Sequence, residues 1–264
     1  MQPILNIALR ASRQTREYII QNIDKNDPTQ ADEHGNQKLL DHLESSMFQN
    51  FFDGLKKANP THFIVAPGET IAETKDDSWH INQFHNPEHL LRKLPSTAYS
   101  VVHRHLGRPH NALLVNPFSG DEYTTSRGSG AALNGRRIRC TSNKYLEHAV
   151  IANNTINQFS SHAENHIVTD FVTELCSSVA QILVGNCAAL DVAMVASGQI
   201  DAAILTNVNA SDIEASLMLC QEAGALSGTF SGGVFGAKED KLIVANPKLF
   251  KALVQRLNRY QEKL

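Results

Sequence analysis

The sequence predicts a mixed α/β fold of two domains. In the first half, two segments with helical spacing precede a series of short strand-like segments separated by turn residues. In the second half, strand-like and helical segments alternate, a pattern typical of a layered α/β domain. The length of 264 residues and the apolar content of 42% are ordinary for a folded protein with a substantial core.

Helices are predicted at the start of the chain from apolar periodicity. Residues 4–23 repeat apolar side chains at helical spacing. A second helix follows a polar loop, because Leu43, Met47, Phe51 and Leu55 fall at a strict four-residue step, and Pro60 ends it. Strands are then predicted at residues 62–66, 99–105, 111–115 and 121–126, with a hairpin turn at Asn134-Gly135.

The remaining segments alternate between strand and helix. We predict a domain boundary at residue 140, so that residues 1–140 form an α+β domain of two helices on an antiparallel sheet and residues 141–264 form an α/β domain. Gly224 is predicted to end a helix that starts near Ser211. The predicted strands are 148–152, 179–184 and 200–205, and the predicted helices are 160–175, 187–196, 211–223 and 247–263.

Composition argues against several classes of function. The formal net charge is −3, so sequence-independent binding of DNA or RNA is not expected. The four cysteines form no CxxC pair, which disfavours a zinc knuckle. Neither a signal-peptide pattern nor an apolar run of membrane-spanning length is seen. We therefore expect a cytoplasmic protein with reduced thiols and no membrane partner.

Several ordered motifs carry a resemblance to a known family. They are residues 128–135 (GSGAALNG), 187–191 (CAALD), 196–201 (ASGQID), 222–224 (EAG), 231–233 (SGG) and 245–247 (ANP). In order and spacing the chain resembles the inositol monophosphatase family, and within it the bacterial SuhB-type branch. The resemblance implies a five-layer αβαβα sandwich and Mg²⁺-dependent hydrolysis of a phosphate monoester.

The resemblance also locates the positions of the family's metal ligands, and here they are altered. Residues 79–81 and 92–95 match the flanks of the second metal-binding motif without a gap. Asn82 and His85 then stand where the family has two aspartates, and Asn86-Pro87 replaces its Gly-Thr pair. An amide and an imidazole cannot neutralise Mg²⁺, and proline has no N–H to offer a phosphate. We therefore expect a degenerate site.

Further positions bear on the expectation of a degenerate site. Pro67 and Gly68 occupy the paired-glutamate positions, although a two-residue insertion would bring Glu69 into place. Asp212 is retained, but Ser211 and Glu214 have the spacing of a capping box, which offers a structural reason for an acid there. The resemblance implies altered water or substrate positions at Glu44, Asn186 and Leu205.

Twelve histidines leave a second hypothesis open. His85 and His89 have a helical i, i+4 spacing with His80 nearby, and His103 and His105 share one face of a strand. A zinc or nickel site is one interpretation. The alternative is that these histidines occupy surface or loop positions.

Two functions are therefore considered. The first is a non-enzymatic binding factor, by resemblance a component of ribosomal-RNA transcription antitermination that contacts NusA and RNA polymerase and forms a homodimer, with no cofactor. The second is a Mg²⁺-dependent inositol-1-monophosphatase or related sugar-phosphate phosphatase with residual or altered activity. It would retain weak activity through Glu69, Glu44 and Asp212, with Glu69 and Asp212 as possible metal ligands, or use another metal.

Overall fold

The computed structural model describes residues 3–26, 32–69, 76–155, 165–185 and 187–262. The chain forms two compact units, Met1–Arg136 and Arg137–Leu264. Each unit has its own sheet and its own apolar core, which confirms the predicted mixed α/β fold class. Within the described residues, no helix combines the length and apolar character needed to cross a membrane.

Two long helices begin the first unit. α1 spans Pro3–Lys25 and α2 spans Glu33–Ala58. The Asp32 side chain caps α2 by accepting a hydrogen bond from the Gly35 amide at 2.7 Å. The four apolar residues at the predicted four-residue step are each at most 1% exposed, so this stripe is the face that α2 buries.

The first sheet has seven strands that lie in chain order, with the short helix α3 (Pro87–Leu91) between the second and third. β1 pairs with β2 in parallel, and each following pair from β2 to β6 is antiparallel. Because parallel strands end at the same edge, the residues after β1 and after β2 are brought together. The strands are β1 (Phe63–Val65), β2 (Ser78–Ile81), β3 (Tyr99–His105), β4 (Arg108–Val115), β5 (Glu122–Ser126), β6 (Gly130–Leu133) and β7 (Arg136–Ile138).

Strand alternation decides what each side of β2 contacts. Trp79 and Ile81 belong to the same buried core as the apolar stripes of α1 and α2. Ser78 and His80 point to the other face, where the serine Oγ lies 3.1 Å from the His80 Nε2. Burial, with a smaller contribution from Arg104, lowers the pKa of His80 to about 4.

The predicted hairpin turn is confirmed. Asn134 has φ 51° and Gly135 has φ 75°, as a two-residue type I′ turn between β6 and β7 requires. The Asn134 side chain also accepts from the Glu122 amide at 2.9 Å and donates to the Asp121 carboxylate at 2.9 Å. The asparagine therefore supplies both the left-handed backbone and the contact with the neighbouring strand.

The second unit is a five-stranded sheet in the order β11-β12-β10-β8-β9. β8, β9 and β10 are parallel, and β12 runs antiparallel to its neighbours β10 and β11. The strands are β8 (Val150–Asn153), β9 (Gln181–Val184), β10 (Ala202–Leu205), β11 (Leu226–Gly228) and β12 (Leu242–Ala245), and the helices are α4 (Asn165–Cys176), α5 (Ala188–Ala196), α6 (Glu214–Ala223) and α7 (Pro247–Leu257).

The start of α6 differs from the prediction, while its end agrees. The structure places Ile213 at the N-cap position, with no hydrogen bond from its side chain. The prediction of a capping box that begins at Ser211 is therefore wrong. Ser211 lies instead in the preceding turn, where its amide donates to the Asn209 Oδ1 at 3.3 Å. Gly224 ends the helix with φ 88°, the left-handed conformation that favours glycine.

A buried tyrosine links α1 to the first sheet, and its substitution tests this attachment. Tyr99 of β3 is fully buried, and its hydroxyl donates to the Ser12 carbonyl at 2.8 Å and lies 3.0 Å from the Ser12 Oγ. Tyr99→Phe should lower the free energy of unfolding of the first unit by about 1–2 kcal/mol, because two polar atoms of Ser12 lose a buried partner. Denaturant titration followed by fluorescence of the single tryptophan, Trp79, measures this change.

Tyr145→Phe is the matched control, since the Tyr145 side chain is 58% exposed and lies in the other unit. It should change the same transition by less than about 0.5 kcal/mol. Equal effects of the two substitutions would contradict the assigned role of the Tyr99 hydroxyl.

Candidate functional site

The carboxyl ends of β1 and β2 meet at one edge of the first sheet and bring two altered motifs together. After β1 the chain turns at Pro67 and Gly68, and Gly68 has φ 78°. A Cβ built on Gly68 would lie 3.9 Å from the Gln83 Nε2, so this turn adjoins the segment after β2. Glu69 follows the turn and is exposed, with its amide donating to the Ala66 carbonyl at 3.1 Å.

Asn82 and His85 converge on one buried hydroxyl. The Asn82 Nδ2 donates to the Ser100 Oγ at 3.0 Å, and the His85 Nε2 lies 3.0 Å from the same oxygen. Backbone bonds fix this geometry, because the Asn82 amide donates to the Ser100 carbonyl at 3.0 Å and the His85 amide donates to the Ala98 carbonyl at 2.8 Å. Ser100 is fully buried on β3. We refer to Asn82, His85 and Ser100 as the Ser100 triad.

The Ser100 triad does not fit Mg²⁺. Magnesium requires oxygen ligands, chiefly carboxylates and water, in near-octahedral geometry. At the two positions where the resemblance implies aspartates, the structure directs an amide nitrogen and an imidazole nitrogen at a serine hydroxyl. Over the described ranges, no three His, Cys, Asp or Glu side chains form a group that could hold a metal ion.

The segment that would contact a phosphate is also altered. Asn86 has φ 60° and ψ 67°, so this position keeps the left-handed backbone of the glycine that the resemblance implies. Pro87 is the first residue of α3 and provides no N–H. The His89 and Leu90 amides donate to the Asn86 carbonyl at 3.1 and 3.3 Å, so these two donors are directed into the chain.

Glu44 reaches this segment from α2. Its Oε1 accepts a hydrogen bond from the Phe84 amide at 3.3 Å, between the two altered ligand positions. Burial raises the pKa of Glu44, and the Phe84 hydrogen bond opposes that shift without cancelling it. The carboxylate of Asp41 raises the pKa further. Glu44 therefore supports the backbone of the Ser100 triad at an electrostatic cost.

The remaining predicted positions belong to the second unit. Leu205 ends β10 and is fully buried, paired in register with Leu242 of β12. Asp212 is exposed and its Oδ1 accepts from the Ser211 Oγ at 3.2 Å. Because α6 begins at Glu214, helix capping by Ser211 does not explain Asp212. Asn186 lies outside the described residues.

The histidines of the metal-site hypothesis fall into two groups, one around His85 and one around His103. His85 precedes α3, so the predicted helical pair with His89 is wrong, and the His89 Nδ1 contacts the Ser96 Oγ at 2.5 Å instead. His103 is buried and His105 exposed, yet both reach the carboxylate of Asp77. Sequence reasoning missed Asp77, and the shared strand face of the two histidines was the only signal for it.

The charge of Glu44 gives a pH-dependent prediction. A folded-state pKa above the unfolded value means that the fold favours the protonated acid, so stability falls as pH rises above about 4.5. Glu44→Gln keeps an acceptor for the Phe84 amide and should therefore raise the denaturation midpoint at neutral pH. The gain should vanish below about pH 4.5. Glu17→Gln on the exposed side of α1 is the control, and an equal gain there would contradict this account.

Comparison with known proteins assigns this chain to a family. The pattern of the Inositol monophosphatase family matches residues 91–262. The chain is 33% identical over 261 residues to the protein named Nus factor SuhB of Pseudomonas aeruginosa, covering 96% of this chain and 95% of that protein.

Solved structures agree with this assignment. The extragenic suppressor protein suhB of Bartonella henselae superimposes with a TM-score of 0.78 at 22% identity, covering 98% of this chain and 99% of that one. Inositol monophosphatase-II of Staphylococcus aureus gives a TM-score of 0.81 at 16% identity, covering 99% and 96%. At these identities the likeness concerns the fold alone. Fold and sequence together show that the chain belongs to the inositol monophosphatase family, with homologues of the SuhB type.

Proposed function

We propose that this protein is a non-catalytic member of its family that acts as a binding factor in transcription, as a component of ribosomal-RNA antitermination. The observation that carries the proposal is the Ser100 triad. Its amide and imidazole nitrogens stand where the resemblance implies two metal-binding carboxylates, and both are bonded to a buried hydroxyl. Without a bound cation, little remains at this edge of the sheet to activate a water molecule.

Two findings of the comparisons support this proposal. The family pattern begins to match at residue 91, just after the segment that carries the altered motifs. Relatives that span nearly the whole chain, from Pseudomonas aeruginosa and Escherichia coli, are named Nus factor SuhB. A scaffold kept over its full length while the ligand positions change fits selection for a surface rather than for chemistry.

The proposed partners are proteins. With a formal net charge of −3 the chain lacks the basic surplus that sequence-independent binding of nucleic acid requires. We propose NusA and RNA polymerase as partners, by analogy with the family branch, and a homodimer as the binding form. The competing function, a phosphatase that retains weak activity through Glu69, Glu44 and Asp212, makes the opposite prediction for metal binding.

Metal binding separates the two functions. Calorimetric titration with Mg²⁺ should give no binding heat, and hydrolysis of inositol 1-phosphate should stay at the uncatalysed rate, because each lost electrostatic group costs about 10²–10³ in rate. Asp212→Ala should leave that background unchanged. The double variant Asn82→Asp, His85→Asp, which restores the carboxylates, is the positive control for Mg²⁺ binding. Robust Mg²⁺-dependent turnover that Asp212→Ala abolishes would overturn the proposal.

Capture of partners tests the binding role itself. Tagged full-length protein should recover NusA or RNA polymerase from a lysate of its native host. His85→Asn should recover them equally well, because the proposed role depends on the surface of the scaffold and not on the Ser100 triad. Recovery of neither partner would count against antitermination, and loss of recovery in His85→Asn would place the binding function at the altered site.

A further inference from the structure

A second polar cluster lies at the opposite end of β2 from the Ser100 triad. The Asp77 carboxylate stands among imidazoles, with its Oδ1 3.0 Å from the His103 Nε2 and 2.8 Å from the His105 Nδ1. Its Oδ2 lies 3.8 Å from the His62 Nε2. The His110 ring stands 6.3 Å from that of His103 and 5.9 Å from that of His105. We call these five residues the Asp77 cluster.

Trp79 fixes the protonation of His62. The Trp79 Nε1 donates to the His62 Nδ1 at 3.2 Å, and an indole nitrogen can only donate. The His62 Nδ1 must therefore be unprotonated, which leaves the single ring proton on Nε2, the atom that faces Asp77. His62 is held in its neutral form as long as this bond exists.

A hydrogen-bond chain fixes His103 in the same way. Ser126 donates through its Oγ to the Asn111 Oδ1 at 2.6 Å, which leaves the Asn111 Nδ2 to donate to the His103 Nδ1 at 2.9 Å. The His103 proton is then on Nε2 and is donated to Asp77. A second proton on either His62 or His103 would set a donor against a donor, so protonation must break the bond to Trp79 or to Asn111.

The electrostatic surroundings of His103 also oppose its protonation. Burial lowers the pKa of His103 to about 4, and His62 and His110 oppose its charging while Asp77 favours it. For Asp77, burial raises the pKa, but the His105 hydrogen bond and the nearby histidines outweigh it and lower the pKa.

Cationic residues also lie on the elements around the histidines. Lys56 at the end of α2 donates to the His62 carbonyl at 2.7 Å, and Arg108 of β4 pairs in register with His105. The Arg127 amide after β5 donates to the His110 carbonyl at 2.8 Å. Arg104 of β3 lies beside the His80 side of the sheet, where it disfavours protonation of His80.

β1 is the part of the sheet that depends most on this cluster. It is a three-residue strand at the sheet edge, and within the part of the chain that the structure describes it pairs only with β2. The Phe63 amide donates to the Asp77 carbonyl at 2.9 Å, and His62, which precedes β1, is held by Trp79 and Asp77. We propose that the Asp77 cluster is a pH-sensitive latch that holds β1 on the first sheet at neutral pH and releases it on acidification.

The direction of the pH dependence follows from linkage. Once released, His103 takes up a proton with the ordinary imidazole pKa of about 6.5, whereas in the closed cluster it resists protonation down to about pH 4. Release therefore becomes more favourable as pH falls through this window. The turn at Pro67 and Gly68 follows β1 directly, so acidification would also free one side of the altered site.

The full-length protein reports on the latch through its only tryptophan, Trp79. Lowering the pH from neutral should change Trp79 emission reversibly, with a midpoint between about 4 and 6.5. Amide hydrogen exchange at Phe63–Val65 should accelerate by at least about tenfold over the same range, while the amides of β3 and β4 stay protected. Constant emission with protected β1 amides down to about pH 4, or loss of β3 and β4 protection at the same midpoint, would overturn the proposal.

Two variants and a control identify the groups that titrate. His103→Gln can still bridge Asn111 and Asp77 but cannot take up a proton, so the β1 transition should weaken and move to lower pH. If that variant does not fold, Asp77→Asn serves, and replacement of the charged acceptor by a weaker neutral one should move the transition to higher pH. His148→Gln, at an exposed histidine of the second unit, should leave it unchanged. An unaltered midpoint in the folded cluster variant would contradict the latch.

Discussion

The register of β2 against β3 is the constraint on which the first unit depends. Trp79 stands opposite His103 and Ile81 opposite Val101, with both β2 side chains in the core shared with the two long helices. Because side chains alternate along a strand, a slip of one residue would move Trp79 out of that core. The buried area of one indole and one isoleucine therefore fixes the polar groups at both ends of β2, the Ser100 triad at one and the Asp77 cluster at the other.

The Ser100 triad also shows how uncharged groups are accommodated at the positions where the resemblance implies metal ligands. Two carboxylates held side by side without a cation repel each other, and one of them must take up a proton or move apart. An amide and an imidazole carry no such penalty at neutral charge, and Ser100 satisfies both with one buried hydroxyl. Asn82 and His85 thus share one hydroxyl partner and bring no carboxylate charge to this end of β2.

The sequence predicted best those features that local chemistry decides. Asn134 and Gly135 specify their turn by backbone conformation alone, and the four-residue step through Phe51 specifies one face of α2. The predicted start of α6 was wrong because Asn209 holds Ser211 in a turn that the Ser-x-x-Glu pattern does not reveal. The Asp77 cluster was missed because its members come from separate strands and meet only through the pairing of the sheet. The assignment of the altered ligands stays a prediction that metal binding will test.

The polar side chains at the two ends of β2 differ in charge. At the carboxyl end, the amide of Asn82 and the imidazole of His85 are both bonded to the Ser100 hydroxyl. At the amino end, the Asp77 carboxylate is retained and is balanced by N–H donors from His103 and His105. Trp79 and Asn111 donate to the other ring nitrogens of His62 and His103, so proton uptake by either ring must break one of these bonds. In the proposed latch, the attachment of β1 to the first sheet therefore depends on pH.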